Sequence, residues 1–353
     1  MKKIAIVVGA RPQFIKLAPL INVLCGKAEL IIIHTGQHYD FEMSDIFFRQ
    51  LNLPEVDYHL SIGSENQATQ VGMMMIKLEQ VLLKDIPDMV VVIGDTNSTL
   101  AGALTASKNA IPLAHVEAGL RSKNNRLPEQ INRIVADRLS DILCCPTESS
   151  VENLNTEGIN KGVFLTGDIL YDLISMIDPD EEFTSKFLEK NGLIPGKYIL
   201  LTVHRAENVD RPEFLQALIS GLENIGHQVF LPLHPRTKKQ LIKFGLYDRL
   251  TANRMVKVSK PVGIVESLAL TKSSLGVLTD SGGLQREAVY YKRKAYILRD
   301  ETEWLELEKY GAVECIASNI AKTKFNWNCQ NVPDIYFQKA SKNIAECLVS
   351  NSD

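Results

Sequence analysis

Short apolar runs alternate with amphipathic segments along the first half of the chain. Runs rich in β-branched residues predict buried strands at residues 4–8, 30–34, 89–93, 112–116, 142–145 and 163–166. Apolar positions at helical spacing predict helices at residues 14–25, 45–51, 67–84, 100–109 and 129–139. Regular alternation of strand and helix is typical of a parallel sheet covered by helices on both faces. The first half is therefore predicted to be a doubly wound α/β domain.

The same alternation returns after an acidic, loop-like stretch at residues 169–197, whose Asp-Pro-Asp-Glu-Glu and Pro-Gly sequences indicate a linker. Beyond it, strands are predicted at 198–203, 228–233, 255–258, 275–278 and 295–298, and helices at 212–225, 238–244, 264–271 and 338–349. We therefore expect two doubly wound α/β domains, residues 1–170 and 171–335, and a terminal helical segment, residues 336–353. Two such domains facing each other would hold a ligand between the carboxyl ends of their sheets.

Composition removes several classes of function. The 353 residues include 39 Lys and Arg against 42 Asp and Glu, without a basic block, so nucleic acid is not an expected partner. The six cysteines form no Cys-x-x-Cys pair and several lie in apolar runs, which favours reduced thiols over disulfides or a zinc site. The apolar run at the start is shorter than a signal sequence, and no segment approaches the ~20 apolar residues of a membrane span. We expect a cytoplasmic protein without a membrane partner.

The most informative polar stretch is TDSGGLQREA, from Thr279 to Ala288. An apolar run precedes it and a helical pattern follows, which predicts a strand, a tight turn and a helix N-terminus. Such a turn presents backbone N–H groups to an anion, and the helix dipole adds partial positive charge. We predict that Ser281, Gly282 and Gly283 bind a diphosphate and that Glu287 accepts the hydroxyls of a ribose. The alternative is an ordinary turn that Ser281 caps.

Polar clusters also follow strands of the first half, where an open α/β sheet binds its ligands. Arg11 and Lys16 follow the first strand and suit a phosphate or carboxylate, although single cations are more often surface charges. The Gly-Ala-Arg sequence there lacks the GxGxxG pattern of a nicotinamide site, and no metal-binding cluster is evident, so no cofactor is expected. Asp95 follows a later strand and is either a site residue or a helix N-cap.

Three further charged residues of the first half are candidates. Glu117 follows the strand at 112–116, and Glu129 and Arg133 lie at the start of the next predicted helix. The alternative for the last two is a carboxylate that complements the helix dipole and its surface partner one turn later.

In the second half, polar residues again follow the strands. His204 and Arg205 follow the strand at 198–203, His234 the strand at 228–233, and Arg299 the strand at 295–298. One such histidine would more often be structural. Two histidines and several arginines at strand ends that should face the Ser281 turn favour a site that binds an anion.

Taken together in order, the motifs resemble those of the non-hydrolysing UDP-N-acetylglucosamine 2-epimerases. The matching segments are Gly-Ala-Arg-Pro at 9–12, Gly-Gln-His at 36–38, Gly-Asp-Thr at 94–96, Glu-Ala-Gly-Leu-Arg at 117–121, Pro-Glu at 128–129, His-Arg at 204–205, His-Pro at 234–235 and Asp-Ser-Gly-Gly-Leu-Gln-Arg-Glu-Ala at 280–288. The resemblance implies the two-domain fold called GT-B, with the last helix crossing back to the N-terminal domain, and usually a homodimer. It implies UDP bound to the C-terminal domain, with the sugar reaching towards the N-terminal carboxylates.

Matched by motif, the resemblance also implies residue roles. The implied catalytic acids are Asp95, Glu117 and Glu129, and His204 is implied as a ligand of the diphosphate. The implied UDP site consists of Ser281, Gly282, Gly283 and Glu287, with Arg11 and Arg299 as further contacts. The segment at residues 299–304 is similar to that of the branch that acts on UDP-2,3-diacetamido-2,3-dideoxyglucuronic acid.

The predicted function is therefore inversion at C2 of a UDP-linked 2-acetamido sugar, from UDP-N-acetylglucosamine to UDP-N-acetylmannosamine. The family's route is elimination of UDP to a 2-acetamidoglycal, followed by its re-addition. The alternative substrate is UDP-2,3-diacetamido-2,3-dideoxyglucuronic acid. A glycosyltransferase of the same architecture and a non-catalytic protein that binds nucleotide sugars remain rival interpretations, since fold alone does not fix function.

Overall fold

The computed structural model describes residues 1–9, 11–36, 54–63, 65–317, 319–329, 332 and 339–350. The first of its two sheets is entirely parallel, with strand order β3-β2-β1-β4-β5-β6-β7. Its strands are β1 (Lys2–Val8), β2 (Ala28–His34), β3 (Tyr58–His59), β4 (Met89–Ile93), β5 (Leu113–Val116), β6 (Ile142–Cys145) and β7 (Val163–Leu165). Helices connect them: α1 (Arg11–Leu24), α2 (Gln67–Asp85), α3 (Asn97–Lys108), α4 (Pro128–Leu139), α5 (Glu148–Thr156) and α6 (Ile169–Ile177).

Residues 4–8 of the central strand β1 are all apolar because helices cover both faces of this sheet. Along β1, Ile4, Ile6 and Val8 enter one hydrophobic cluster, and Ala5 and Val7 enter another. All five residues are fully buried. This alternation is the two-residue repeat of a strand, and it explains why the run carries no polar position.

The second sheet is also entirely parallel, with strand order β10-β9-β8-β11-β12-β13. Its strands are β8 (Tyr198–Thr202), β9 (Gln228–Pro232), β10 (Val256–Ser259), β11 (Gly276–Thr279), β12 (Ala295–Ile297) and β13 (Val313–Cys315). The accompanying helices are α7 (Glu181–Lys190), α8 (Ala206–Val209), α9 (Pro212–Glu223), α10 (Pro235–Lys243), α11 (Tyr247–Ala252), α12 (Ile264–Ser273), α13 (Gly282–Tyr290) and α14 (Leu305–Lys309), with a short 3-10 helix at Asn319–Ala321. The predicted fold class of two doubly wound α/β domains is confirmed.

Internal contacts divide the chain into two compact units. Unit 1 comprises Met1–Met176 and Asp334–Asp353, and unit 2 comprises Ile177–Pro333. The last helix, α15 (Ala340–Ser350), belongs to unit 1: Ile344 and Leu348 lie in the same hydrophobic cluster as β1, and the Ser341 backbone N–H donates to Asp172 at 2.7 Å. The chain therefore returns to the first sheet after completing the second. The domain limits given above, 170/171 and 335/336, stay predictions.

The expectation of a loop-like linker at residues 169–197 is wrong, because two helices occupy most of it. Helix α6 buries an apolar face that includes Leu170 and Leu173. The acidic run starts helix α7: the Asp180 side chain accepts the Phe183 N–H at 2.7 Å, and Glu181 and Glu182 occupy the first turn. Carboxylates are favourable at a helix N-terminus, so acidity here marks a helix start.

The other predicted elements are present, with shifts at their ends. Strands 89–93 and 142–145 have their predicted limits, whereas the helix expected at 100–109 starts at Asn97 and that expected at 14–25 starts at Arg11. The helix expected at 45–51 lies outside the described residues. In the described ranges no helix is long and apolar enough to span a bilayer.

Candidate active site

Each sheet reverses its strand order at one point, and candidate residues of the same unit follow the strands on either side of that point. In unit 1 the reversal falls between β1 and β4, and in unit 2 between β8 and β11. Loops that leave the carboxyl ends of two such strands diverge to opposite faces, which leaves a crevice for a ligand. Lys16 and Asp95 follow the first pair of strands, and His204 and Ser281 follow the second.

Asp95 is held by two residues of helix α4. The Arg133 guanidinium donates to its carboxylate, and the Asn132 side chain donates to its backbone carbonyl at 2.9 Å. The N-cap of helix α3 is Thr96, which forms a capping box with Thr99. Asp95 is therefore not the cap, and its carboxylate is available for another role.

Glu117 lies in a strained turn after β5. Its φ is +68°, a left-handed conformation that costs a non-glycine residue about 1–3 kcal/mol. Lys16 Nζ lies 2.5 Å from Glu117 Oε2, and the carboxylate is buried. A Cβ atom on Gly94 would lie 3.3 Å from the same oxygen. Glu117 is thus directed over the end of β4, where Asp95 begins its own turn.

Two other predicted site residues of unit 1 lie at helix starts. Glu129 is exposed in the first turn of α4. Arg133, its surface partner one turn later in the rival interpretation, contacts Asp95 instead. The favourable position of Glu129 at a helix N-terminus is compatible with either role. Arg11 opens α1, and its side chain lies outside the described part of the structure.

A buried charged network beside these turns was missing from the sequence prediction. His115, in β5, places Nδ1 2.6 Å from Asp137 Oδ1, and both side chains are fully buried. Arg121 joins Asp137 at 2.7 Å and pairs with Glu157 through two hydrogen bonds of 2.6 and 2.8 Å. Burial opposes ionisation of Asp137, but the charges of His115 and Arg121 and their hydrogen bonds lower its pKa below the usual value.

A signal for this network was present in helix α4. Its polar residues Gln130, Arg133 and Asp137 have the spacing of one helix face and are buried, whereas the apolar Ile131 and Ile134 are exposed. A helix with this inverted pattern uses its polar face to hold neighbouring turns.

In unit 2, the turn after β11 has the predicted strand, turn and helix form. The Ser281 hydroxyl caps α13 by accepting the Leu284 N–H at 3.3 Å, so the capping alternative describes its contact within this structure. Gly282 and Gly283 form the first turn of the helix without a left-handed φ. A Cβ atom would meet no atom nearer than 3.8 Å at either position. Neither conformation nor packing requires glycine here.

Gln285 places a buried amide beside this turn. Its Nε2 atom has no hydrogen-bond partner among the described residues and lies 3.8 Å from the position that a Cβ of Gly282 would take. The Thr302 hydroxyl donates to Gln285 Oε1 at 2.8 Å, and its oxygen accepts the Trp304 N–H. A buried donor without a partner is costly unless a ligand supplies the acceptor.

Glu287 lies on α13, one turn after Gly283. Burial raises its pKa to about 7, while the charge of Arg286 and a hydrogen bond from Ser267 act in the opposite direction. The Ser267 hydroxyl lies 3.5 Å from Glu287 Oε2. This carboxyl group therefore changes its charge near neutral pH.

Asp280, which the sequence prediction left without a role, organises the end of β8. Its fully buried carboxylate accepts the backbone N–H groups of His204 and Arg205 at 3.0 and 2.9 Å. The Arg205 guanidinium thereby lies 4.0 Å from the position of a Gly282 Cβ. His204 Nδ1 lies 3.4 Å from Asp280 Oδ1. The ring centroids of His204 and His234 are 5.5 Å apart.

His234 and Arg299 have contacts of their own. His234 Nδ1 accepts the Arg236 N–H at 3.2 Å, and burial and the neighbouring His204 lower the pKa of His234. Arg299 forms a buried bidentate pair with Glu303, both hydrogen bonds measuring 3.0 Å. Its guanidinium is thus neutralised within unit 2, and its role as a UDP contact stays a prediction.

Two doubly wound α/β units, one with cation-paired carboxylates and one with an open glycine turn at a helix N-terminus, are typical of enzymes that convert nucleotide-linked sugars. Within that class, the model of the UDP-N-acetylglucosamine 2-epimerase family matches residues 25–326. The chain belongs to this family. The predicted family and the epimerase function are thereby confirmed, and the roles of single residues stay predictions.

Relatives in the family match the chain over nearly its whole length. A UDP-N-acetylglucosamine 2-epimerase homolog of Methanococcus maripaludis is 46% identical over 330 residues, 92% of each chain. The UDP-2,3-diacetamido-2,3-dideoxy-D-glucuronate 2-epimerase of Pseudomonas aeruginosa is 41% identical over 362 residues, 98% of this chain and 99% of that one. The crystal structure of the Methanocaldococcus jannaschii UDP-GlcNAc 2-epimerase in complex with UDP-GlcNAc and UDP superposes with a TM-score of 0.86, at 40% identity, covering 99% of this chain and 100% of that chain.

Proposed function

We propose that this epimerase inverts C2 of UDP-N-acetylglucosamine to give UDP-N-acetylmannosamine, with UDP bound by unit 2 and the C2 proton handled by carboxylates of unit 1. The C2–H electrons form the C1=C2 double bond of a 2-acetamidoglycal as the C1–O electron pair leaves with UDP. The C2 proton passes to one carboxylate. A proton from another carboxylate then reaches the opposite face of C2 while the UDP oxygen re-forms its bond to C1.

The observation that carries this proposal is the unused space at Gly282 and Gly283. Many glycines are explained by a left-handed φ or by a neighbour that a Cβ would strike, and Gly9 is an example: its Cβ would lie 2.0 Å from Thr35 Oγ1. Neither reason applies at Gly282 and Gly283. Glycine at a helix N-terminus with open space before it is what close approach of a phosphate requires.

Cationic and N–H donors around this turn suit a leaving diphosphate. Arg205 and the amide of Gln285 flank Gly282, and the Gly282 and Gly283 N–H groups belong to the first helical turn. Donors fixed before the reaction stabilise negative charge that grows on the β-phosphate as the C1–O bond breaks. Elimination through UDP departure therefore fits this set of residues.

Two carboxylates in different surroundings fit the two proton transfers. Asp95 is partly exposed and pairs with Arg133, whereas Glu117 is buried and pairs with Lys16. Inversion at C2 needs one group that removes a proton and a different group that returns one on the opposite face. Glu129, exposed in the first turn of α4, is the third proposed catalytic acid.

A second substrate is favoured by one specific observation. The Pseudomonas aeruginosa 2-epimerase of UDP-2,3-diacetamido-2,3-dideoxy-D-glucuronate matches this chain from end to end at 41% identity. The C2 chemistry is the same for both sugars. The difference lies at C3 and C5, where the second sugar has an acetamido group and a carboxylate.

Proton NMR of the protein with each UDP-sugar alone tests the proposal. The expected result is a new anomeric signal of the C2 epimer from UDP-N-acetylglucosamine, growing to a fixed ratio without an acceptor. Turnover of the diacetamido uronic acid derivative with no change in UDP-N-acetylglucosamine would transfer the proposal to the second substrate. No epimer from either sugar would overturn it and would leave the glycosyltransferase and binding-protein interpretations.

We propose in addition that the chain acts as a cytoplasmic homodimer. Met73, Ile76 and Leu83 lie on one face of helix α2 and are 40, 63 and 60% exposed. Exposed apolar side chains on one helix face are typical of a surface that a second copy covers. Analytical ultracentrifugation should give twice the chain mass, and Ile76→Lys should give a monomer that retains UDP affinity. A monomeric wild-type protein at micromolar concentration would refute the dimer.

A further inference from the structure

Both ring nitrogens of His115 face oxygen acceptors. Nδ1 lies 2.6 Å from the Asp137 carboxylate, and Nε2 lies 2.7 Å from the backbone carbonyl oxygen of Gly94. The ring thereby joins helix α4, through Asp137, to the turn that follows β4. Asp95 is the next residue of that turn.

The other oxygen of Asp137 reaches the second turn. Asp137 Oδ2 accepts the Gly119 N–H at 3.1 Å and an Arg121 N–H at 2.7 Å. Gly119 has a φ of +78° and lies two residues after Glu117. A Cβ atom on Gly119 would lie 2.3 Å from the Ser150 carbonyl oxygen, so the backbone of this turn packs closely against helix α5. One buried carboxylate therefore holds both turns.

We infer that the buried His115–Asp137 pair is a positioning unit for epimerisation, which fixes the turns carrying Asp95 and Glu117 and so sets the spacing of their carboxylates. The inference rests on the proposed function, because it gives the two carboxylates their roles. Neither His115 nor Asp137 is proposed to contact the substrate. Their effect passes through the backbone of Gly94 and Gly119.

A contribution to stability alone does not account for this pair. A buried ion pair is often no more stabilising than apolar residues of the same volume, because both charges lose their hydration. The arrangement is also more specific than stability requires, since Glu117, a non-glycine residue, has a φ of +68° and both turns depend on the same carboxylate. Left-handed turns of this kind persist only where the surroundings determine them.

The test compares Asp137→Asn with a matched control, Asp141→Asn. The Asp141 carboxylate accepts the Leu113 N–H at 2.9 Å, so it holds the start of the same strand, β5, at the end away from the turns. Asp137→Asn should lower kcat by about 10- to 100-fold with little change in KM, since displacement of reacting groups by about 1 Å has effects of this size. Its affinity for UDP, measured by calorimetry, should equal that of the wild type. Asp141→Asn should lower the melting temperature without the loss of kcat.

Two further variants keep the inference testable if Asp137→Asn does not fold. His115→Gln places an amide donor near the position of Nε2 and His115→Asn near that of Nδ1. We expect His115→Gln, which keeps the contact with Gly94, to retain more turnover than His115→Asn, although both lose a buried partner. Equal kcat in Asp137→Asn and Asp141→Asn, or equal kcat in the two His115 variants, would overturn the inference. Absence of epimerisation by the wild-type protein in the same assay would instead refute the proposed function.

Discussion

Arg133 pairs with Asp95 across the first unit, although Glu129 precedes Arg133 by one turn on the same helix. Helix α4 therefore supplies a cation to a carboxylate that follows β4, and it presents a second carboxylate at its own N-terminus. This contact changes Arg133 from a candidate surface charge into part of the proposed active site. It also connects Asp95 to the helix that carries Glu129, and the first prediction below depends on both residues.

Replacement of each proposed catalytic acid by its amide should lower turnover while UDP affinity is kept. For Asp95→Asn, Glu117→Gln and Glu129→Gln we expect kcat to fall about 100-fold or more, because general acid–base groups typically contribute that much. The nucleotide contacts proposed for unit 2 are unchanged in these variants. Calorimetry with UDP and an NMR assay of C2 inversion measure the two quantities. Wild-type turnover in any one variant would remove that residue from the mechanism.

Gly282→Ala and Gly283→Ala should weaken UDP binding and stabilise the protein. Each new methyl group has room within unit 2 but occupies the space proposed for the phosphate. Alanine in place of a helical glycine with a compatible φ is worth about 0.4–1 kcal/mol of stability. Calorimetry should show at least about a tenfold loss of UDP affinity, on the scale of 1.4 kcal/mol per factor of ten.

A matched control is available in unit 1. Gly72 lies in helix α2, where a Cβ would also meet nothing within 4 Å. Gly72→Ala should leave UDP affinity unchanged. If Gly282→Ala and Gly283→Ala also leave UDP affinity unchanged, the phosphate is not bound at this turn.

Gln285→Glu should weaken UDP binding more than uridine binding. The substitution keeps the oxygen that accepts from Thr302. It replaces the NH₂ donor, which has no partner in the described part of the chain, by an oxygen that repels a phosphate. Titrations of UDP and uridine with the wild type and the variant separate the phosphate contribution. Parallel losses for both ligands would show that Gln285 supports the helix and does not contact the diphosphate.

Glu287 should give both stability and binding a dependence on pH. Its folded-state pKa of about 7 lies above the ordinary 4.5, so the folded protein holds this proton longer than the unfolded chain. Its contribution to the free energy of unfolding is present below pH 4.5 and is lost as pH rises through 7. Thermal unfolding of Glu287→Gln should lack this slope.

Binding should change in the opposite direction, because the ionised carboxylate is the better acceptor for two ribose hydroxyls. With a pKa of about 7, the ionised fraction of Glu287 rises about tenfold between pH 6 and pH 8. The ratio of UDP affinities, wild type over Glu287→Gln, should rise by a similar factor. Comparison of the two proteins at each pH cancels the titration of UDP itself. A constant ratio would remove Glu287 from the ribose site.

The sequence predicted the framework and most of the site because parallel strands end at one edge of a sheet. The sequence pattern predicts that Asp95, Glu117, His204 and Ser281 follow strands, and in the structure each of them does. Ordered motifs then identified the family. Neither argument needs a contact between side chains.

The contacts of the buried polar residues could not be predicted from the sequence. Asp137 and Gln285 lie on helices, where apolar periodicity assigns polar positions to solvent, yet both are fully buried. Their partners, Gly119 and Thr302, lie 18 and 17 residues away. The acidic composition of residues 178–182 predicts a linker, whereas in the structure Asp180 caps the N-terminus of helix α7. These contacts depend on tertiary packing, which local patterns do not contain.

The central claim is inversion through elimination, and the isotope content of the product in D₂O tests it most directly. If one carboxylate removes the C2 proton and another returns a solvent-derived one, every molecule of epimer formed should contain deuterium at C2. Proton NMR should show that the H2 signal is absent from the epimer and that the coupling between H1 and H2 is lost. Epimer that retains protium at C2 in full would contradict elimination and would withdraw the roles proposed for Asp95, Glu117 and Glu129.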